Sequence, residues 1–356
     1  MKKRLFKIVI TFTLVVLPWL IALQWPNTVT AFFRPLSRTI SRMLAFMFSP
    51  LPFAVYEWIV GIVIVIIILL LIRLIIRLVR DKGRKHLLKR AFKRLLTVVL
   101  ILTFAFTWLW GLNYVAPPMS EIMDLPVQPQ DEAFLRQVTL HLVERANEIA
   151  PRVPRDANNI TLFRSVRNSN APVLQGFETL AEEHSVFNNA SPGAKRLTFH
   201  GIFSAFGVAG MYFPFTGEGG VNPDSPATSI PFITAHEIGH RLGFAREDEA
   251  NFTAFLATRA SDDAMTQYSG YFAAMMYCMN ALYTINGETI WDYLHPYVLA
   301  DIFANQRHYI RHSGFMRQVG EAINHGYLQA MGQSEGVDSY GMVVDLILAY
   351  FYKNGM

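Results

Sequence analysis

Apolar residues fall along this chain in two patterns. Through the first third they form unbroken runs: nothing from Ile8 to Phe33 is charged, Val60 to Leu71 is aliphatic apart from Gly61, and Leu95 to Tyr114 is again free of charge. Because about 20 apolar residues cross a bilayer, these runs predict three membrane spans, at about 8–28, 52–74 and 95–115. The basic start and apolar middle of the first run also suit a signal peptide, but no small-x-small cleavage site stands near Ala22, so the run reads as an anchor. Trp108, Trp110 and Tyr114 close the third run as an interfacial aromatic belt. Between the first two runs, Phe33, Leu36, Ile40, Leu44 and Met47 recur at helical spacing beside a polar stripe of Arg34, Arg38, Ser41 and Arg42. This predicts an amphipathic helix over 33–48, lying on the outer leaflet or packed against the spans.

Beyond Pro117-Pro118 the apolar positions are spaced for ordinary helices. Phe134, Val138, Leu142 and Ala146 predict a helix from Asp131 to Ala150. Residues 151–175 read as irregular, with a short helix from Phe177 to His184. Residues 207–224 mix Gly and Pro with aromatics and predict an extended or hairpin segment with Pro214 at a sheet edge. Further helices are predicted over Ile230 to Leu242, Asp248 to Arg259, Tyr268 to Tyr283, Ile290 to Ala304, Phe315 to Gln329 and Val343 to Tyr352. The single cysteine, Cys278, falls in an apolar helical pattern and reads as a core residue, with no disulfide framework around it.

Charge sharpens this division. Residues 1–120 hold 17 Lys/Arg and 2 Asp/Glu, whereas residues 121–356 hold 15 and 25. The basic excess sits beside apolar runs, where it sets membrane orientation, so it gives no reason to expect a nucleic-acid partner. Ten Lys/Arg and one Asp crowd Arg73 to Arg94, a predicted cytoplasmic basic loop over 75–94. With Lys2-Lys3-Arg4 it places the N-terminus in the cytoplasm and everything after Tyr114 outside. Residues 1–116 therefore read as a multi-pass anchor in lipid, and residues 117–356 as an extracytoplasmic domain. Charges inside the spans are nearly absent, which argues against transport.

The chemistry lies in Thr234-Ala-His-Glu-Ile-Gly-His240, followed by Glu247-Asp-Glu-Ala-Asn251. His236 and His240 are four apart, so on a helix both imidazoles leave one face and can share a Zn²⁺ ion, with Glu237 beside them as general base. Thr228 or Ser229 can cap this helix, Pro231 suits its first turn and Gly243 ends it. A catalytic zinc needs a third protein ligand. Glu247 shares a helix face with Ala250, Asn251 and Ala254, and is the first choice; Glu249 is the second. Asn251 or Asp248 can orient a ligand histidine, although the helix dipole already accounts for Asp248.

The His-Glu-x-x-His motif with Glu-x-x-Ala-Asn is similar to the gluzincin metallopeptidases, whose third ligand is a Glu in a Glu-x-x-x-Asp setting. Here Asn251 stands where that Asp usually is, and the link from His240 to Glu247 is shorter. Trp110-Gly-Leu-Asn-Tyr114, Tyr212-Phe-Pro-Phe-Thr-Gly-Glu218, the His236 motif, Glu247-Asp-Glu-Ala-Asn-Phe252, Tyr268-Ser-Gly270 and Ser339-Tyr-Gly341 resemble the bacterial membrane family catalogued as domain of unknown function 3810. Together these resemblances imply a mainly α protein: three transmembrane helices, then a largely helical zincin-like domain with at most a small β hairpin or edge strand. They also imply one Zn²⁺ per chain and a protein or peptide substrate on the outer side of the cytoplasmic membrane. Tyr212 and Glu218 precede the motif helix and are candidates for the substrate side, and Tyr212, His200, Tyr268 and Tyr271 are candidate oxyanion donors. An amidase acting on cell-wall peptide and a non-catalytic, metal-stabilised envelope scaffold are the alternatives. The intact Glu237 speaks against the scaffold.

Overall fold

The computed structural model describes residues 12–80, 84–128, 131–332 and 342–356. Residues 2–4, the first positions of the first apolar run (8–11), the centre of the basic segment (81–83) and Ser339-Tyr-Gly341 lie outside the described residues.

A π-helical turn, Phe12–Val16, leads into α1 (Leu17–Gln24). Trp25 precedes Pro26 and leaves helical geometry, as residues before proline do. At about 1.5 Å per residue, Phe12–Gln24 reaches about 20 Å, short of a hydrocarbon core of about 30 Å. Among the described residues, two helices are long and apolar enough to cross a membrane, not the three expected: α3 (Val55–Arg80) and α4 (Arg84–Leu109). The apolar first helix lies beside α4, where Trp19 Nε1 donates to Thr107 Oγ1 (3.1 Å) and Trp108 Nε1 to the Leu14 carbonyl (2.9 Å). The basic segment expected as a loop is largely helical. Arg73 to Arg80 and Arg84 to Arg94 continue α3 and α4, because Arg, Lys and Leu all propagate a helix well.

The amphipathic helix α2 (Arg34–Phe48) has its burial inverted. Arg34, Ser37 and Ser41 are buried, whereas Leu36, Met43, Phe46 and Met47 are exposed. Its polar face packs on the rest of the protein, and its apolar face points away.

The globular part begins with a short α5 (Met119–Ile122) and α6 (Glu132–Ile149), whose first turn is held by Asp131 accepting from Phe134 N (2.7 Å). Residues 166–175, expected to be irregular, belong to a long α7 (Val166–Glu183) capped by Ser165. Pro172 lies inside this helix, and Gly176 packs beneath α10. Next come β1 (Lys195–Arg196), α8 (His200–Ala205), β2 (Gly210–Phe213) and β3 (Glu218–Val221). The sheet order is β1-β3-β2, with β1 and β3 parallel and β2 and β3 antiparallel. The predicted hairpin is thus β2–β3, with Pro214 in its turn and β2 at an edge.

The remaining helices are α9 (Ile230–Arg241), α10 (Glu247–Arg259), α11 (Ala264–Asn286), α12 (Pro296–Arg311), α13 (Phe315–Ala330) and α14 (Val343–Asn354). Two begin elsewhere than expected. Asp263 caps α11 by accepting from Thr266 N (2.9 Å), so this helix starts at Ala264 rather than at Tyr268. Pro296 starts α12, leaving Trp291–Tyr293 as a 3₁₀ turn. Neither Thr228 nor Ser229 caps α9 with its side chain; Ser269 of α11 accepts from Phe232 N instead (3.0 Å). Helices α6, α9, α10, α11 and α14 share one apolar core containing Leu142, Ile238, Phe255, Cys278 and Ile347.

Candidate metal centre

Helix α9 is buried over most of its length, which holds its side chains in place. The His236 and His240 rings are one turn apart, with centroids 4.6 Å from each other. Gly243 then takes a φ of +93°, and a Cβ there would also meet the Arg34 side chain at 2.9 Å. The chain reverses at this glycine into α10, which packs closely against α9: a Cβ on Gly239 would stand 3.1 Å from Thr253 Cγ2. The reversal brings Glu247, the first residue of α10, opposite the histidines. Its Oε2 is 3.3 Å from His236 Nε2 and its Oε1 3.6 Å from His240 Nε2. One ligand atom from each of the three lies within 4.8 Å of the others, so the cluster could hold a metal ion. Glu249 faces elsewhere, accepting from Met119 N (2.8 Å) and Arg246 Nη1 (3.2 Å).

Both imidazoles are oriented from behind. His236 Nδ1 meets Asn251 Oδ1 (2.9 Å) and His240 Nδ1 meets the Phe244 carbonyl (2.8 Å). Since these oxygens accept, each Nδ1 is held from behind and each Nε2 is turned toward Glu247. With no proton on Nε2, two imidazole nitrogens beside a carboxylate make a donor set that suits a cation. Burial lowers the His240 pKa to about 4, with His236 adding to the effect. Burial pulls His236 the same way, but the hydrogen bond and charge of Glu247, with the charge of Glu237, carry it above its ordinary value.

Glu237 is buried, and its Oε2 has no hydrogen-bond partner. Burial raises its pKa to about 8; His236 opposes the shift and Glu247 adds to it. Strand β2 runs against this carboxyl so closely that a Cβ on Gly210 would lie 2.2 Å from Glu237 Oε1. Asn222 N donates to the Ala209 carbonyl (2.8 Å), so by antiparallel alternation the backbone polar groups of Gly210 and Tyr212 point to the free edge of the sheet.

Tyr212 lines the cavity above the cluster, its ring 4.8 Å from Trp110 and its hydroxyl donating to Ser41 Oγ of α2 (2.8 Å). Trp110 in turn stands edge-on to His240, at 5.9 Å. Glu218 is not among the cavity's lining residues. It accepts from Val55 N and Tyr56 N at the start of α3 and pairs with Lys195 (2.8 Å), so it anchors the long helix rather than facing a substrate. The other proposed oxyanion donors are also engaged away from the cavity: His200 with Asp224 (2.7 Å), Tyr268 with Asp301 (2.7 Å) and Tyr271 with Arg259 (3.2 Å). The tyrosines that line it close enough to feel the charge of Glu247 are Tyr114, Tyr277 and Tyr327. Tyr114 stood out in the sequence only as an interfacial aromatic, and no local pattern marks Tyr277 or Tyr327, because the turn after α4, α11 and α13 bring the three together only in the folded chain.

The fold and site thus define a mainly helical protein with, among the described residues, two helices long and apolar enough to cross a membrane and a His–Glu cluster able to hold a metal. The chain belongs to the family described as Protein of unknown function (DUF3810), whose model matches residues 32–348. Among curated proteins and among solved structures, no match to the chain was found.

Proposed function

We propose that this protein is a membrane-anchored, zinc-dependent peptidase of gluzincin-like design, working on the outer side of the cytoplasmic membrane. The observation that carries this reading is the buried carboxyl of Glu237, whose Oε2 has no hydrogen-bond partner among the described residues, packed beside the His236–His240–Glu247 cluster and under the face of the sheet at Gly210 and Gly219. The three residues of the cluster would hold the ion, and zinc there would supply Lewis-acid chemistry to the scissile carbonyl and to water. Glu237 would take the proton of the attacking water and pass it to the leaving amine. Asn251 and the Phe244 carbonyl keep both imidazoles turned toward the cluster throughout. The backbone groups of Gly210 and Tyr212, directed to the edge of β2 that no described strand pairs with, favour a polypeptide, since an extended chain can add to a sheet edge.

Orientation is supported by the helical hairpin. Glu57 and Trp110 tie its two ends to the globular part, while Arg77 and Arg80 end α3 at the far end. With about 1.5 Å per residue, 26 residues separate these ends by about 39 Å, a membrane's thickness, and basic residues stay inside.

The test is to purify the full-length chain in detergent, measure its metal content and follow cleavage of a peptide library. About one zinc per chain is expected from a single His–His–Glu site, with Glu237→Gln keeping the zinc and losing at least about 10²-fold in rate. Glu247→Ala should lose zinc, whereas Glu249→Gln should keep it. A zinc-free wild type, or a Glu237→Gln variant of equal activity, refutes the proposal.

A further inference from the structure

We infer that the cavity above the cluster accepts a polypeptide segment with bulky apolar side chains, supplied from the membrane surface; this rests on the peptidase reading and names its substrate class. The cavity has a volume of about 1970 Å³. Pockets for small molecules are usually about 300–1,000 Å³, so this one has room for several residues of an extended chain.

Its walls select against charge. Outside the His–Glu site, the charged residues lining it are Glu288, Arg317 and Glu321. Glu288 accepts from Arg136 Nε (2.7 Å) and Arg317 Nε donates to Glu321 (2.8 Å), so these charges already balance within the protein. A charged substrate side chain would lose water there and gain no counter-ion.

The walls also offer uncovered apolar surface. Ile202 of α8, Ile310 of α12 and Ile323 of α13 all line the cavity, yet they are 60%, 64% and 64% exposed. Three helices thus present large aliphatic groups to the same space, and covering each with a bulky substrate side chain is worth about tenfold in binding.

The source of the segment follows from α4. Phe106, in the last turn of that apolar helix, and Trp110, just beyond it, line the same cavity as His236 and Glu237. Residues Leu95 to Leu102 farther down α4 are exposed and, but for Thr97, apolar. The wall of the cavity is therefore continuous with a surface suited to lipid, and a chain emerging from the bilayer beside α4 reaches the site along apolar surface.

The experiment uses zinc-loaded full-length protein in lipid vesicles. Internally quenched peptides with Leu and Phe flanking the scissile bond are compared with matched peptides carrying Ser and Gln, each free in solution and each joined to a transmembrane anchor in the same vesicle. With two apolar side chains covered, kcat/KM should favour the apolar peptide by about 100-fold, and anchoring should raise the rate further. Equal cleavage of apolar and polar peptides would overturn the inferred substrate class, and no gain from anchoring would overturn supply from the membrane. Ile202→Ser combined with Ile323→Ser should raise KM for the apolar peptide while kcat holds; an unchanged KM also counts against the inference. If no peptide is cut, the peptidase reading fails, and binding of the same peptides to Glu237→Gln then decides the substrate class alone. At least about tenfold tighter binding of the apolar peptide supports it, and equal binding refutes it.

Discussion

Gly210 marks how closely the site is built. Its backbone is extended, so alanine strains nothing locally, but the added methyl would stand 2.2 Å from Glu237 Oε1 and 2.8 Å from Ile233 Cγ2. A carboxyl at the end of a flexible side chain yields more easily than a paired strand, so Gly210→Ala should displace Glu237 and leave the sheet intact. The expected result is a fall in kcat of about 10–100-fold with zinc content and melting temperature near those of the wild type, measured on the purified variant. Unchanged kcat would show that Glu237 tolerates the methyl. The grouping of His236, His240 and Glu247 was legible in the sequence because it depends on one helical turn and one glycine reversal. Gly210, Tyr277 and Tyr327 were not, since their relevance depends on contacts between segments tens of residues apart. Glu218, a candidate for the substrate side, is placed elsewhere for the same reason: only the fold brings Val55 and Tyr56 to it.

Among the elements, α7 was the hardest to read. Asn168, Asn170 and Pro172 resemble a loop, yet α7 packs on α10 through a contact that only glycine allows: a Cβ on Gly176 would lie 1.9 Å from the Ala257 carbonyl oxygen. Here the obstacle is backbone, which cannot swing aside. Alanine normally stabilises a helix interior by about 1 kcal/mol over glycine, but overpacking costs about 1–3 kcal/mol and should win. Gly176→Ala is therefore expected to lower stability, read as an earlier thermal transition in detergent; a later one would contradict this packing. Helix α2 was legible as amphipathic but not in its direction. Its arginines look topogenic in the sequence, whereas Arg38 donates to the Leu242 carbonyl at the end of α9 (2.6 and 3.1 Å) and Arg34 lies over the Phe244 ring. Their charge favours the negative end of the α9 dipole, so they act within the fold.

For the whole molecule, the expected orientation has a direct test. Alkaline phosphatase joined after Met356 should be active in bacterial cells, and the same reporter joined near Lys85 should be inactive, because it folds only outside the cytoplasm. The opposite pattern would reverse the proposed topology. The long apolar runs made α3 and α4 plain in the sequence, since a bilayer demands little beyond length and composition. The first run has the same composition, and among the described residues its helix ends at Gln24, ahead of Pro26.

Helix α2 carries a consequence for how this protein can be handled. Ser41 receives the Tyr212 hydroxyl, Gly217 fits against the Ser41 carbonyl and Arg38 closes the end of the motif helix. A version begun at Pro117 would keep all three members of the His–Glu cluster yet lose these contacts to the residues that surround them. Replacing the anchor with an unrelated tether would do the same. The N-terminal helices and the site architecture are therefore inherited together, and neither can be engineered without the other.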